Sequence, residues 1–189
     1  MSSNTATLTD NRTGKSYEFP ILKGTMGPDV IDISTFFSDT GMFTFDRGYT
    51  STAMCRSAIT YIDGLKGELM YRGYDIAYLA ENKTFLDVAY LLLNKELPTN
   101  DQYINFKTEL KKRSFIHEGM MKLFDAFPDK AHPMAILQAA VSALSAFYSD
   151  HLNMDKPEEY HEMAMRIIAK IPTIAAFSYR YSRGLPIIY

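Results

Sequence analysis

The chain has 189 residues, 47% of them hydrophobic and 22% charged, with a formal net charge of -2. That length supports one main body with at most a small appendage, and the composition excludes a disordered chain, which is poor in apolar residues and rich in net charge. The near-neutral balance supplies no global field to collect nucleic acid or an anionic membrane, so any anion site must be a local cluster.

The first residues, Met1-Ser2-Ser3-Asn4-Thr5, lack the basic stretch and apolar run of a secretory signal, and the lone Cys55 makes no internal disulfide. Both features suit the cytoplasm. Thr5 to Thr9 and Lys15 to Phe19 alternate in the β manner around Asn11-Arg12-Thr13-Gly14, and Ala58 to Ile62 pairs with Glu68 to Tyr71 around Asp63 to Gly67. Both read as hairpins. Between them the glycine-punctuated, aromatic-rich segments Gly24 to Gly27 and Gly41 to Gly48 suit short strands and turns better than helices.

From about Asp75 the apolar period becomes helical. Thr84 is placed to cap a helix through Asn94, and Thr99-Asn-Asp-Gln102 spells a capping box for a helix running towards Arg113. A shorter helix is expected around Glu118 to Phe127. Leu137, Ala140, Val141, Leu144, Phe147 and Tyr148 then fall on one stripe of three- and four-residue spacing, which must pack against other helices. A last helical run begins near Pro157, with Pro172 expected to bend or restart it because proline removes an amide donor. The division expected is a strand- and turn-rich region, 1–74, and a helical domain, 75–189, which ends on the apolar Ile187-Ile188-Tyr189 and reads as cut short. No apolar stretch approaches the ~20 residues that cross a bilayer.

Few constellations suggest chemistry. His117, His132, His151 and His161 are too scattered to share a metal locally, and Met121 stands where an H-E-x-x-H pattern beginning at His117 needs its second ligand. No nucleophile elbow, phosphate-binding loop or dinucleotide fingerprint occurs. Cys55 beside Arg56 reads as an inert filler, and Glu158-Glu159 as a helix-end dipole complement. The strongest charge feature is basic: Lys107, Lys111, Lys112 and Arg113 gather near one helix end, while Arg166 and Lys170 stand four apart on another helix. Such groups hold a phosphate by charge-assisted hydrogen bonds, with Tyr148 or Phe115 offering an aromatic face; alternatively they are solvated dipole complements.

Several strings resemble type II citrate synthases, the hexameric bacterial kind. They are Leu22 to Ile33, Phe43 to Ala53, Ile59 to Gly64, Tyr71 to Ile76, Tyr90 to Asn94, Ile116 to Glu118, His132 to Ala135, Ala146 to Tyr148 and Lys170 to Ala176, in the family's order. The resemblance implies a mainly α fold, part of a multi-helical large domain with a small N-terminal β-hairpin region. It implies an acyltransferase that condenses oxaloacetate with acetyl-CoA and water to citrate and CoA, at entry to the tricarboxylic acid cycle. It further implies a homo-oligomer, a dimer or a hexamer built as a trimer of dimers, with no required cofactor, no metal, no nucleic acid and no membrane. The family's catalytic histidines and aspartate find no matching motif here, so no catalytic residue is assigned and the segment is expected to be inactive alone. A 2-methylcitrate synthase segment and a non-catalytic NADH-binding or oligomerisation module are the alternatives. Members of this type are often inhibited by NADH at a site remote from catalysis. The matching positions are Tyr148, Arg166 and Lys170, with Lys112, Arg113, Ser114 and Phe115 in the adjoining loop. Lys112 stands where arginine is usual, and lysine lacks the bidentate guanidinium fork.

Overall fold

In the computed structural model, residues 4–150, 153 and 155–188 are described; His151 and Tyr189, both named above, lie outside them. The chain forms two compact units, Met1–Thr84 and Phe85–Tyr189.

In the first unit, β1 (Thr5–Asp10) and β2 (Lys15–Leu22) form the expected hairpin, in a register that runs from Thr5 opposite Pro20 to Asp10 opposite Lys15. Asp10 pins its turn. Its Oδ1 accepts from the Arg12 amide and from Arg12 Nε, both at 3.0 Å, while Gly14, at φ 75°, donates its amide to the Asp10 carbonyl. β3 (Val30–Ile31) adds to the far edge of β2. A short helix α1 (Phe36–Thr40) follows where only strands and turns were expected. The Phe36 ring lies 5.4 Å from Phe19, and the left-handed Gly41 closes the helix by donating to the Phe37 carbonyl. Five residues are too few to display a helical period, which is why the sequence conceals this element.

The second hairpin joins β4 (Thr60–Asp63) to β5 (Glu68–Tyr71), and β6 (Tyr74–Asp75) turns back on β5. Arg72 and Gly73 both have positive φ, as a two-residue turn between right-twisted strands requires. Asp75 then caps α2 (Ile76–Asn82), accepting from the Ala77 amide at 2.7 Å and the Tyr78 amide at 3.3 Å.

The second unit is helical throughout: α3 (Phe85–Asn94), α4 (Asn100–Arg113), α5 (Gly119–Asp125), α6 (Pro133–Phe147) and α7 (Pro157–Ser182). The capping box at α4 is made in both directions, with the Gln102 amide donating to Thr99 Oγ1 and the Thr99 amide to Gln102 Oε1. The expected stripe on α6 faces the core, joined by Ile136. Pro172 does not interrupt α7, contrary to expectation. It is exposed, so water can replace the amide bond it removes.

Two apolar clusters hold this unit. Ala89, Phe106 and Leu110 meet Met165 and Ala169; Ile116, Met120, Phe124, Ile136, Ala140 and Leu144 meet Ile174 and Phe177. α7 therefore serves both clusters in succession, and the residue at the crossover is the buried Lys170. Fully burying a side chain such as Phe124 contributes about 1.5–3 kcal/mol, and two clusters on one helix fix its position along its length. The fold is mainly α with two small antiparallel sheets. Among the described residues no helix is long and apolar enough to cross a membrane.

Candidate functional site

A helix end leaves its last carbonyls without intrahelical donors. Where α4 ends, the carbonyls of Arg113 and of the two residues after it, Ser114 and Phe115, are met from α7. Lys170 Nζ donates to Arg113 O at 2.8 Å and to Phe115 O, and Thr173 Oγ1 donates to Ser114 O at 3.1 Å. Lys170 is only 4% exposed, so its ammonium ion is held by carbonyl dipoles and by the Tyr148 ring, whose centroid lies 4.5 Å away. Arg166, one turn earlier, places its guanidinium carbon 5.2 Å from the same ring.

These groups bound an open cleft of about 460 Å³. Lys112, Arg113 and Phe115 line it from the α4 side, Tyr148 from the end of α6, and Arg166 and Lys170 from α7. Ser114 does not line the cleft: its carbonyl accepts from Thr173 Oγ1 and its hydroxyl donates to Lys111 O. Lys107 and Lys111 are exposed and do not line the cleft. A smaller apolar slot of about 110 Å³, lined by Val141, Leu144, Met163 and Ile167, opens beside the same Tyr148, Arg166 and Lys170. The arrangement suits a ligand with an anionic group and a flat, less polar part.

Sequence reading missed the carboxylates that pair with these cations: Glu109 and Glu162, which line the cleft, and Asp150, which reaches Arg166 without lining it. Arg113 donates from Nε to Glu162 Oε1 at 3.0 Å, from Nη2 to Glu162 Oε2 at 2.8 Å and from Nη1 to Glu109 Oε2 at 2.6 Å. Arg166 donates from Nε to Glu162 Oε1 at 2.8 Å and from Nη1 to Asp150 Oδ1 at 3.0 Å, and Lys112 reaches Glu109 Oε1 at 2.6 Å. Glu162 thus bridges guanidinium groups from two helices. Its carboxyl is held below the usual range, chiefly by the hydrogen bonds from Arg113 and then by those from Arg166, against a desolvation that opposes them. The Lys112 and Arg113 hydrogen bonds lower Glu109 likewise, and Arg113 itself is pushed up by Glu162 and then Glu109. Spacing alone could have revealed Glu109 with Lys112 and Arg113, and Glu162 with Arg166, as same-helix neighbours. The pairing of Arg113 with Glu162 across helices leaves no such signal.

The remaining candidates lie elsewhere. His117 Nδ1 accepts from the Gly119 amide and His132 Nδ1 from the Met134 amide, the latter capping α6. His161 and Cys55 are exposed. Among the described residues no three His, Cys, Asp or Glu side chains gather as metal ligands would.

Residues 48–189 match the family model described as citrate synthase, C-terminal domain. Over 184 residues the chain is 50% identical to a citrate synthase of Helicobacter pylori (strain J99), an alignment that covers 97% of this chain and 43% of that protein. It therefore spans less than half the length of that relative. Crystal structures of citrate synthases from Thermotoga maritima MSB8 and Pyrobaculum aerophilum superpose with TM-scores of 0.66 and 0.64, each at 30% identity. They cover 77% and 90% of this chain, and 37% and 40% of their own chains are matched.

Proposed function

The chain belongs to the citrate synthase family, and on that premise we propose that it is an N-terminal portion of a type II enzyme carrying the effector cleft without the catalytic residues. The parent enzyme condenses acetyl-CoA with oxaloacetate and water to give citrate and CoA, as a cytoplasmic homo-oligomer, dimeric or hexameric. The acid, base and oxaloacetate-holding groups of that reaction find no counterpart motif in this sequence, so the segment contributes regulation and assembly rather than chemistry. It requires no cofactor.

NADH is the ligand proposed for the cleft of Tyr148, Arg166, Lys170, Lys112, Arg113 and Phe115, with Ser114 in the adjoining loop. The single observation that carries this reading is the convergence of Lys112, Arg113 and Phe115 with Tyr148, Arg166 and Lys170 on one cavity, although 57 residues separate Arg113 from Lys170. An anion in the cleft meets guanidinium donors, and a flat ring meets the Tyr148 face and the slot beside it. A fluorescence titration of the chain with NADH tests the ligand: saturable binding that Arg166→Ala weakens at least tenfold is expected, and indifference to that change contradicts it. A citrate-forming assay of the same chain with oxaloacetate and acetyl-CoA should give no turnover. Any turnover overturns the assignment of catalysis elsewhere.

A further inference from the structure

Arg166 divides its guanidinium between two carboxylates in unlike settings. Its inner nitrogen, Nε, donates to Glu162, which Arg113 grips at the same time through Nε and Nη2. Held by two helices, Glu162 is part of the wall. The outer edge of Arg166, Nη1 and Nη2, meets Asp150 Oδ1 and Oδ2 side by side at 3.0 and 3.3 Å, the same two-point geometry in which a guanidinium holds any oxyanion. The Asp150 side chain is 61% exposed and stands in the turn beyond α6. Solvent around so exposed a carboxylate screens the pair, and the other side of it, Arg166, is largely buried.

Resting on the effector reading for the identity of the ligand, we propose that Asp150 is an intramolecular competitor. Its carboxylate occupies the outer edge of Arg166, a residue that lines the cleft, and it gives up that edge when an anionic group of the effector binds there. Glu162 stays in place and keeps Arg113 and Arg166 aligned. The exchange replaces one anion by another, so this edge takes a single anionic group at a time. Affinity at the cleft is therefore set as much by how firmly Asp150 holds Arg166 as by the contacts of the ligand itself.

Isothermal titration separates these roles. NADH and, independently, inorganic pyrophosphate are titrated at low ionic strength into the chain, into Asp150→Asn, and into Asp155→Asn, which removes the same charge from a side chain other than Glu162 and Asp150, the carboxylate partners of Arg166. Asp150→Asn is expected to tighten both probes by about two- to fivefold, while Asp155→Asn leaves them unchanged. Equal tightening by both variants, no tightening by Asp150→Asn, or no pyrophosphate binding to any form overturns the competitor role. Pyrophosphate binding that tightens in Asp150→Asn, with no saturable binding of NADH, leaves the competitor standing and overturns NADH as the ligand instead.

Discussion

The strand-bearing unit and the helical unit reach order by different means. In the first, only Phe19 and Leu79 are buried among the described residues, and aspartates fix the backbone: Asp10 and Asp63 in hairpin turns, Asp46 in the loop of Thr50 and Ser51, Asp75 at a helix start. In the second, two continuous apolar clusters do that work, and polar contacts concentrate at one cleft. Short-range polar chemistry tolerates change one bond at a time, whereas a packed cluster answers as a whole.

The sharpest way to test this difference is Phe124→Ala. Phe124 is fully buried and meets Phe177 edge-on at 5.9 Å, so truncation should cost about 3–5 kcal/mol in urea unfolding. A loss below about 1 kcal/mol would show that the cluster is not the source of order. Next in size is Lys170→Met, which keeps the stem but removes the donors from the Arg113 and Phe115 carbonyls. Leaving these part-buried carbonyls without the ammonium donor should cost about 1 kcal/mol and free the end of α4, seen as faster amide exchange around residues 113–115.

The smallest effect is pH dependence. Glu162 faces Arg113 from α4 and Arg166 from its own helix, with Glu109 and Asp150 beyond them, and its folded pKa lies below the ordinary value. Its contribution is therefore present above the unfolded pKa and lost as pH falls through the folded one. The urea midpoint should drop from about pH 5 downward, and Glu162→Gln should flatten that slope. In the first unit Asp46 is lowered to about 2, first by the Thr52 side chain and then by the Ser51 amide and Thr50. Its exposed loop should loosen only near that pH, in an NMR titration of the Thr50 and Ser51 amides, without moving the global midpoint.

The contrast also explains what could be read in advance. Hairpins and caps have local signatures, so Asn11 to Gly14, Thr99 with Gln102, and the stripe from Leu137 to Tyr148 foretold their elements. Helix α1 is too short for a period, and the fate of Pro172 depended on which side of α7 faces water. At the cleft the cations and aromatic faces were legible, since they form a cluster of one chemical type. Their neutralisation was not, because Arg113 and Glu162 are 49 residues apart and meet only once α4 and α7 pack. The site reads in sequence as bare positive charge, and in the folded chain as positive charge already shared among Glu109, Glu162 and Asp150.

Hydrogen–deuterium exchange of the chain with and without NADH tests most directly whether that shared charge is a ligand cleft. Slowed exchange confined to the end of α4, the end of α6 and the turn of α7 from Arg166 to Lys170 is the predicted result. Protection centred on another part of the chain, or none at saturating NADH, would contradict it.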